Sequence, residues 1–196
     1  MSASANPRLT EEEYLKIERE ARHKSEFYDG QMYAMSGASW VHGLITTNLS
    51  RELGNRLLNL DCSVIAHDIR VRVSRRGFYT YPDVVVVCGP PAFVDNEHDT
   101  LLNPTLLIEV LSPSTEQHDR GFKLRHCRQL ESLQEYLLVA QAEPYVQSYR
   151  RQPSGDWLLS EWSGLEATCR LTSVECELAM AEVYRRVKFG NEAVQV

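Results

Sequence analysis

No stretch of apolar residues in this chain approaches the ~18 that a membrane-spanning helix needs. The segment Met1-Ser2-Ala3-Ser4-Ala5-Asn6-Pro7-Arg8 has no apolar core of the kind a secretory signal carries, so a cytoplasmic location is the default expectation. None of the five cysteines, Cys62, Cys88, Cys127, Cys169 and Cys176, stands in a C-x-x-C pair, and their number is odd. Zinc-binding or a disulfide framework is therefore the weaker reading, and buried free thiols are expected. Positive charge is not in excess: the net charge is -6, which gives no overall pull toward nucleic acid. Such a partner stays open, because an acidic metal site itself adds negative charge and a basic patch can be local. Repeats, low-complexity tracts and linkers are also missing. The 196 residues suit one domain.

What is present alternates between helical and extended patterns. Thr10-Glu11-Glu12-Glu13 ahead of Tyr14, Leu15 and Ile17 has the form of a capping box, and it predicts a helix from about Glu11 to Ala21. Lys24 to Gln31 runs into Asp29-Gly30, a hairpin turn signal, with a return strand over 32–35. Val41, Leu44, Ile45, Leu49, Leu53 and Leu57 recur at helical spacing over 40–58. Strands are expected over 64–74, 78–87, 105–111 and 135–140, with a helix over 119–133 and a hairpin of 145–150 with 157–162. A short strand near Val174 and a helix over 179–187 end the domain. The sum is a single α/β domain over 10–188, a mixed sheet flanked by helices, with loose tails at 1–9 and 189–196.

Two carboxylates lie where carboxylates are costly. Asp83, in Tyr81-Pro82-Asp83, opens the run Val84-Val85-Val86-Val87, and Glu109 interrupts Leu106-Leu107-Ile108 and Val110-Leu111. Runs of branched apolar residues read as strands buried on both faces. An ionised carboxylate there needs a cation, a metal or several hydrogen bonds. One way out is a plain ion pair to Arg70 or Arg72. The other uses Lys123, early in the next helix: two acids on successive strands with a nearby lysine suit a hard divalent cation, which takes one or two carboxylates. As a residue near the start of a solvent-facing helix, Lys123 is expected to add little to stability.

These residues resemble a known family, the Uma-type restriction endonuclease-like proteins of the PD-(D/E)XK nuclease superfamily. The resemblance covers roughly 10–187. It is carried by Ser25-Glu26-Phe27-Tyr28-Asp29-Gly30, by Tyr81-Pro82-Asp83 with its valine strand, and by Ile108-Glu109-Val110-Leu111-Ser112-Pro113-Ser114-Thr115. Asp119 with Lys123, and Glu135-Tyr136-Leu137-Leu138-Val139, complete it. It implies a restriction-endonuclease-like core, Asp83 and Glu109 as ligands of magnesium or manganese, and Glu26 as an auxiliary acid. The superfamily carries its lysine two positions after the second acid; here that position is Leu111, and Lys123 is the substitute. Gln31 and Ala140 stand where the family tends to have acids.

The expectation is a Mg²⁺- or Mn²⁺-dependent endonuclease acting on DNA, with Asp83, Glu109, Lys123 and Glu26 catalytic. Its rival is a DNA-binding or regulatory module that kept the fold and lost the reaction. Arg70 and Arg72 read either as phosphate contacts or as solvated strand residues. Arg120, Arg125 and Arg128, with Arg75 and Arg76, suggest a basic rim. His42 and His118 read as site residues or as caps. No aromatic platform for single strands is evident. A homodimer is expected, because two-fold symmetry is the simplest way to cut both strands of a duplex.

Overall fold

The computed structural model describes residues 8–35, 37–74 and 77–190. Arg75 and Arg76, and most of both expected tails, lie outside the described residues. In chain order the elements are α1 (Glu11–Glu20), β1 (Ser25–Tyr28), β2 (Gln31–Ala34), α2 (Trp40–Arg56), β3 (Cys62–Ala66), β4 (Arg70–Ser74), β5 (Phe78–Thr80), β6 (Val84–Cys88), β7 (Thr100–Leu101) and β8 (Leu106–Leu111). Then come a composite helix α3 over 116–127, β9 (Glu135–Ala140), β10 (Tyr145–Arg151), β11 (Trp157–Ser163), β12 (Thr168–Leu171), β13 (Cys176–Ala179) and α4 (Met180–Val183). The residues around Val174 form a 3-10 turn between β12 and β13, in place of the expected strand. Among the described residues no helix is long and apolar enough to cross a membrane.

Six strands in the order β11-β10-β9-β8-β6-β3 make the central sheet. Only β8 and β9 pair in parallel there. Strand alternation sends Val84, Val86, Ile108 and Val110 to one face, against Ile45, Leu49 and Leu53 of α2. Val85, Val87, Leu107 and Leu111 go to the other face, against Leu124 and Cys127 of α3 and Val71 and Phe78 of a second sheet. That second sheet, β2-β1-β5-β4-β7, is covered by α1, whose Tyr14 packs on Phe27 and Tyr79. The capping box of α1 forms as its sequence predicts. The architecture is a mixed α/β domain with mixed sheets and helices on both sides.

Two of the expected strands are each two strands. The 64–74 stretch breaks after Ala66, where His67 takes a left-handed conformation (φ 68°). The 78–87 stretch breaks at Tyr81-Pro82-Asp83, where proline offers no N–H for a ladder. In both cases the first and second parts belong to different sheets, so the chain crosses from one sheet to the other twice, side by side. The expectation of free thiols is also corrected. Cys62 and Cys88 are cross-strand partners in the β3–β6 register, their Cα atoms 4.0 Å apart, and their sulfurs are bonded. Cys127, Cys169 and Cys176 are buried and free.

Candidate active site

Glu109 is the fourth residue of β8, and alternation decides where it points. It shares parity with Leu107 and Leu111, so it faces α3. Its side chain is 4% exposed, which demands compensation. Lys123 supplies it, with Nζ 2.8 Å from Glu109 Oε1, 3.4 Å from Glu26 Oε1 and 3.9 Å from Asp119 Oδ1. The lysine is delivered by a π-turn over Asp119–Lys123, set between α-turns at Glu116–His118 and Leu124–Cys127. Such wide turns inside a helix often mark functional sites. Lys123 is itself buried, with 3% of its side chain exposed. The expectation of a lysine on a solvent-facing helix is therefore corrected: this face of α3 packs on the sheet.

Asp83 stands where β5 gives way to β6. Extending the β6–β8 register one step past Val84↔Ile108 puts it opposite Glu109, the separation at which cross-strand side chains interact. Asp83 Oδ2 accepts a hydrogen bond from Val110 N at 2.7 Å and lies 3.1 Å from His42 Nε2. His42 occupies the first turn of α2, whose cap, Ser39 Oγ, accepts from the His42 N–H. Glu26 enters from β1. Its Oε1 accepts from the Thr80 hydroxyl, and its Oε2 is 3.0 Å from His118 Nε2.

Three carboxylates around one ammonium set the electrostatics. Burial alone would lower the Lys123 pKa, but Glu109, Glu26 and Asp119 together hold it well above the usual lysine range. The surplus of acid falls on Glu109, pushed well up by burial, with Asp119 and Asp83 adding and Lys123 opposing. Burial also raises Asp119. Burial works to raise Glu26 as well, yet Lys123, His118 and Thr80 outweigh it and bring that carboxyl down to about 2.

The cluster opens into a cleft of about 1120 Å³ lined by Glu26, Asp83, Glu109, Lys123, His42 and His118 among others. A divalent cation fits what is present. Glu109 Oε1 is buried with no well-directed hydrogen bond: Lys123 Nζ is close enough for an ion pair but approaches off line. Among the described residues no hydrogen bond engages Asp83 Oδ1. Nor do these residues hold a group of three or more His, Cys, Asp or Glu side chains arranged as a metal cage. Two hard carboxylates are instead the donor set of an ion that keeps most of its waters.

The arginines expected to meet nucleic acid, Arg70 and Arg72 as phosphate contacts and Arg120 and Arg125 as part of a basic rim, do not line this cleft. Arg70 is buried, its guanidinium donating to Thr100 Oγ1 at 2.9 Å, Tyr81 Oη at 2.8 Å and Asp99 Oδ2 at 2.8 Å. Arg72 pairs with Glu11 at 3.0 Å, Arg120 with Glu116 at 2.6 Å, and Arg125 lies over the Phe122 ring. Beside Lys123, His42 and His118, the basic residues that line the cleft are Arg22, His23, Lys24 and His67, and Lys24 is held by Asp68 and the His67 carbonyl. Sequence reasoning assigned Asp119 no role of its own; its i,i+4 spacing to Lys123 was the available signal.

Comparison with known proteins gives consistent matches. The profile of the Uma2 family, described as "Putative restriction endonuclease", matches residues 11–181. Two uncharacterised proteins of Synechocystis sp. (strain ATCC 27184 / PCC 6803 / Kazusa) are similar throughout. One is 37% identical over 183 residues, 93% of this chain and 95% of the relative. The other is 38% identical over 159 residues, 81% of this chain and 90% of the relative. The fold is similar to a crystal structure described as "a putative nuclease belonging to DUF820" from Anabaena variabilis ATCC 29413. The TM-score is 0.74 at 19% identity, covering 90% of this chain and 97% of that one.

Proposed function

The chain belongs to the Uma2 family, and from that premise we propose that it is a metal-dependent phosphodiesterase that hydrolyses DNA. Asp83 and Glu109 would hold magnesium or manganese. Bound there, the ion supplies Lewis acidity, which polarises a phosphoryl oxygen and acidifies water. The remaining work falls to this chain's side chains. His42 and the Val110 N–H fix the Asp83 carboxylate by one oxygen, leaving the other for the ion. Lys123, kept charged by its three acids, is the fixed cation at the place where negative charge grows on phosphorus. Thr80 and His118 orient Glu26, which holds the ammonium together with Glu109.

The observation that carries this reading is the buried Lys123–Glu109 contact at 2.8 Å, at the floor of an open cleft. A purely structural ion pair has no need of a cleft or of surplus acids. One fact favours the rival, a module that has lost the reaction: Leu111 stands where the superfamily carries its lysine. Incubating plasmid and single-stranded circular DNA with the protein and manganese separates the two. The enzyme reading predicts cleavage by the parent and none by Asp83→Ala. DNA binding without cleavage by the parent would sink it in favour of the rival. Cutting both strands in one encounter calls for two such clefts about a two-fold axis. A monomer by light scattering restricts the activity to one strand at a time.

A further inference from the structure

Only two aromatic side chains among the described residues are exposed, Tyr33 at 49% and Trp40 at 84%. Tyr33 is the third residue of β2, and Trp40 opens α2. In the β1–β2 register Tyr33 is directly opposite Glu26. Cross-strand partners project from the same face, so the Tyr33 ring rises from the face that carries Glu26 toward Lys123. It lines the cleft with Met35, itself 37% exposed. Its hydroxyl donates to Gln31 Oε1 at 2.9 Å, so the polar end is already bonded and the ring face is what it offers. Trp40 is the first residue of α2, set between cleft-lining Ser39 and the His42 that touches Asp83. Arg22 and His23, both exposed, line the same cleft.

Tyr33 thus presents a ring face within the lining of the cleft that holds the acids, and Trp40 presents another one residue along the chain from cleft-lining Ser39. In a continuous duplex the faces of the bases are covered by their neighbours, and only edges and backbone are presented. Unpaired bases do offer their faces, and stacking on aromatic side chains is the usual way proteins hold them. Resting on the nuclease reading above, we infer that Tyr33 and Trp40 stack on unpaired bases beside the scissile phosphate. The DNA taken by this cleft therefore carries a single-stranded segment, with Arg22 and His23 against its backbone. Intact duplex is the poorer ligand.

The test is equilibrium binding by the full-length chain in calcium, read by anisotropy. The probes are labelled oligothymidylate, a hairpin duplex with the same number of phosphates, and the matching oligouridylate. Tyr33→Ala and Trp40→Ala should each weaken oligothymidylate binding by about tenfold and leave duplex binding unchanged. Trp40→Phe should retain affinity but lose the quenching of tryptophan emission that binding causes in the parent. Both positions are exposed, and superimposable melting curves check that the variants fold. Equal affinity for duplex and single strand, with the alanine variants unchanged, overturns the inference; Asp83-dependent cleavage would still stand. Failure to bind any of the probes removes both readings. Tighter binding of oligouridylate overturns the assignment to DNA.

Discussion

Two ionic clusters in this molecule, each built around a buried cation, look alike in the sequence and differ in the fold. One surrounds Lys123 and the other surrounds Arg70. In the second, Arg70 and Arg19 face Asp99 and Asp95, two cations to two acids, and the remaining Arg70 donors are met by Thr100 and Tyr81. Each Arg70 nitrogen has a partner there, and a third acid, Glu18, joins only through the Tyr81 hydroxyl. In the first, one ammonium faces Glu109, Glu26 and Asp119, with Asp83 opposite in register. It has surplus acid, a buried oxygen without a directed hydrogen bond, and an opening to solvent. A balanced cluster staples elements together, whereas an unbalanced one at a cleft is suited to receive a cation and a polyanion.

The largest expected effect is at Lys123. Lys123→Met should lower cleavage per folded molecule by about 10²–10³, the usual cost of losing a fixed group at developing charge. It should also lower the melting temperature, because Glu109 then lies buried beside two other acids without its cation. Lys123→Arg should not restore full activity, since a planar guanidinium does not replace a compact ammonium. Glu109→Gln sharpens the contrast from the other side. Calorimetry should show manganese binding in the parent and none in this variant, while stability changes by less than about 1 kcal/mol, because one surplus buried charge has gone. A strong manganese signal in Glu109→Gln would remove Glu109 from the ligand set.

In the balanced cluster the order of effects reverses. Arg70→Met should cost about 3 kcal/mol, roughly 6–12 °C in melting temperature for a chain of this size, with the activity of the folded fraction unchanged. The smallest effect is pH dependence. Asp99 is held below the usual carboxylate range, first by the Arg19 hydrogen bonds and further by Thr100 and Arg70. A depressed pKa adds stability that is present above the unfolded value of about 4 and is lost as pH falls from there through the lower folded value. The carboxylate is a third exposed, so screening keeps the contribution below about 1 kcal/mol. Asp99→Asn should flatten that acid limb of the stability curve, as read by denaturant melts from pH 6 downward. An acid limb unchanged in the variant would assign it to other carboxylates.

How much of this was legible before the fold depended on what each residue's neighbours reveal. Glu109 stood out because strand residues on both sides are apolar, and alternation then fixes its direction. Lys123 was picked by its place after the acids, yet its burial was hidden, since a lysine in a helix gives no sign of which face it occupies until the π-turn is known. Arg70 misled for the opposite reason. Alternating with Val71 and Val73, it reads as a surface residue, but α1 covers that face of its sheet, with Tyr14 against the guanidinium. The breaks at His67 and at Pro82-Asp83 were invisible in the apolar pattern, which runs on while the chain changes sheets. The pairing of Cys62 with Cys88 needed the β3–β6 register, and no local spacing supplies it. The contacts of His42 with Asp83 and of His118 with Glu26 are likewise set by packing between distant segments.

The contrast between the clusters rests most directly on one measurement: single-turnover cleavage of single-stranded DNA in manganese by the parent, Lys123→Met and Arg70→Met, each normalised to its folded fraction. The parent should cut, Arg70→Met should match it within about twofold, and Lys123→Met should be slower by about 10²–10³. If Lys123→Met keeps pace with the parent, or Arg70→Met falls as far as Lys123→Met, the division into a reacting cluster and a stapling cluster is wrong.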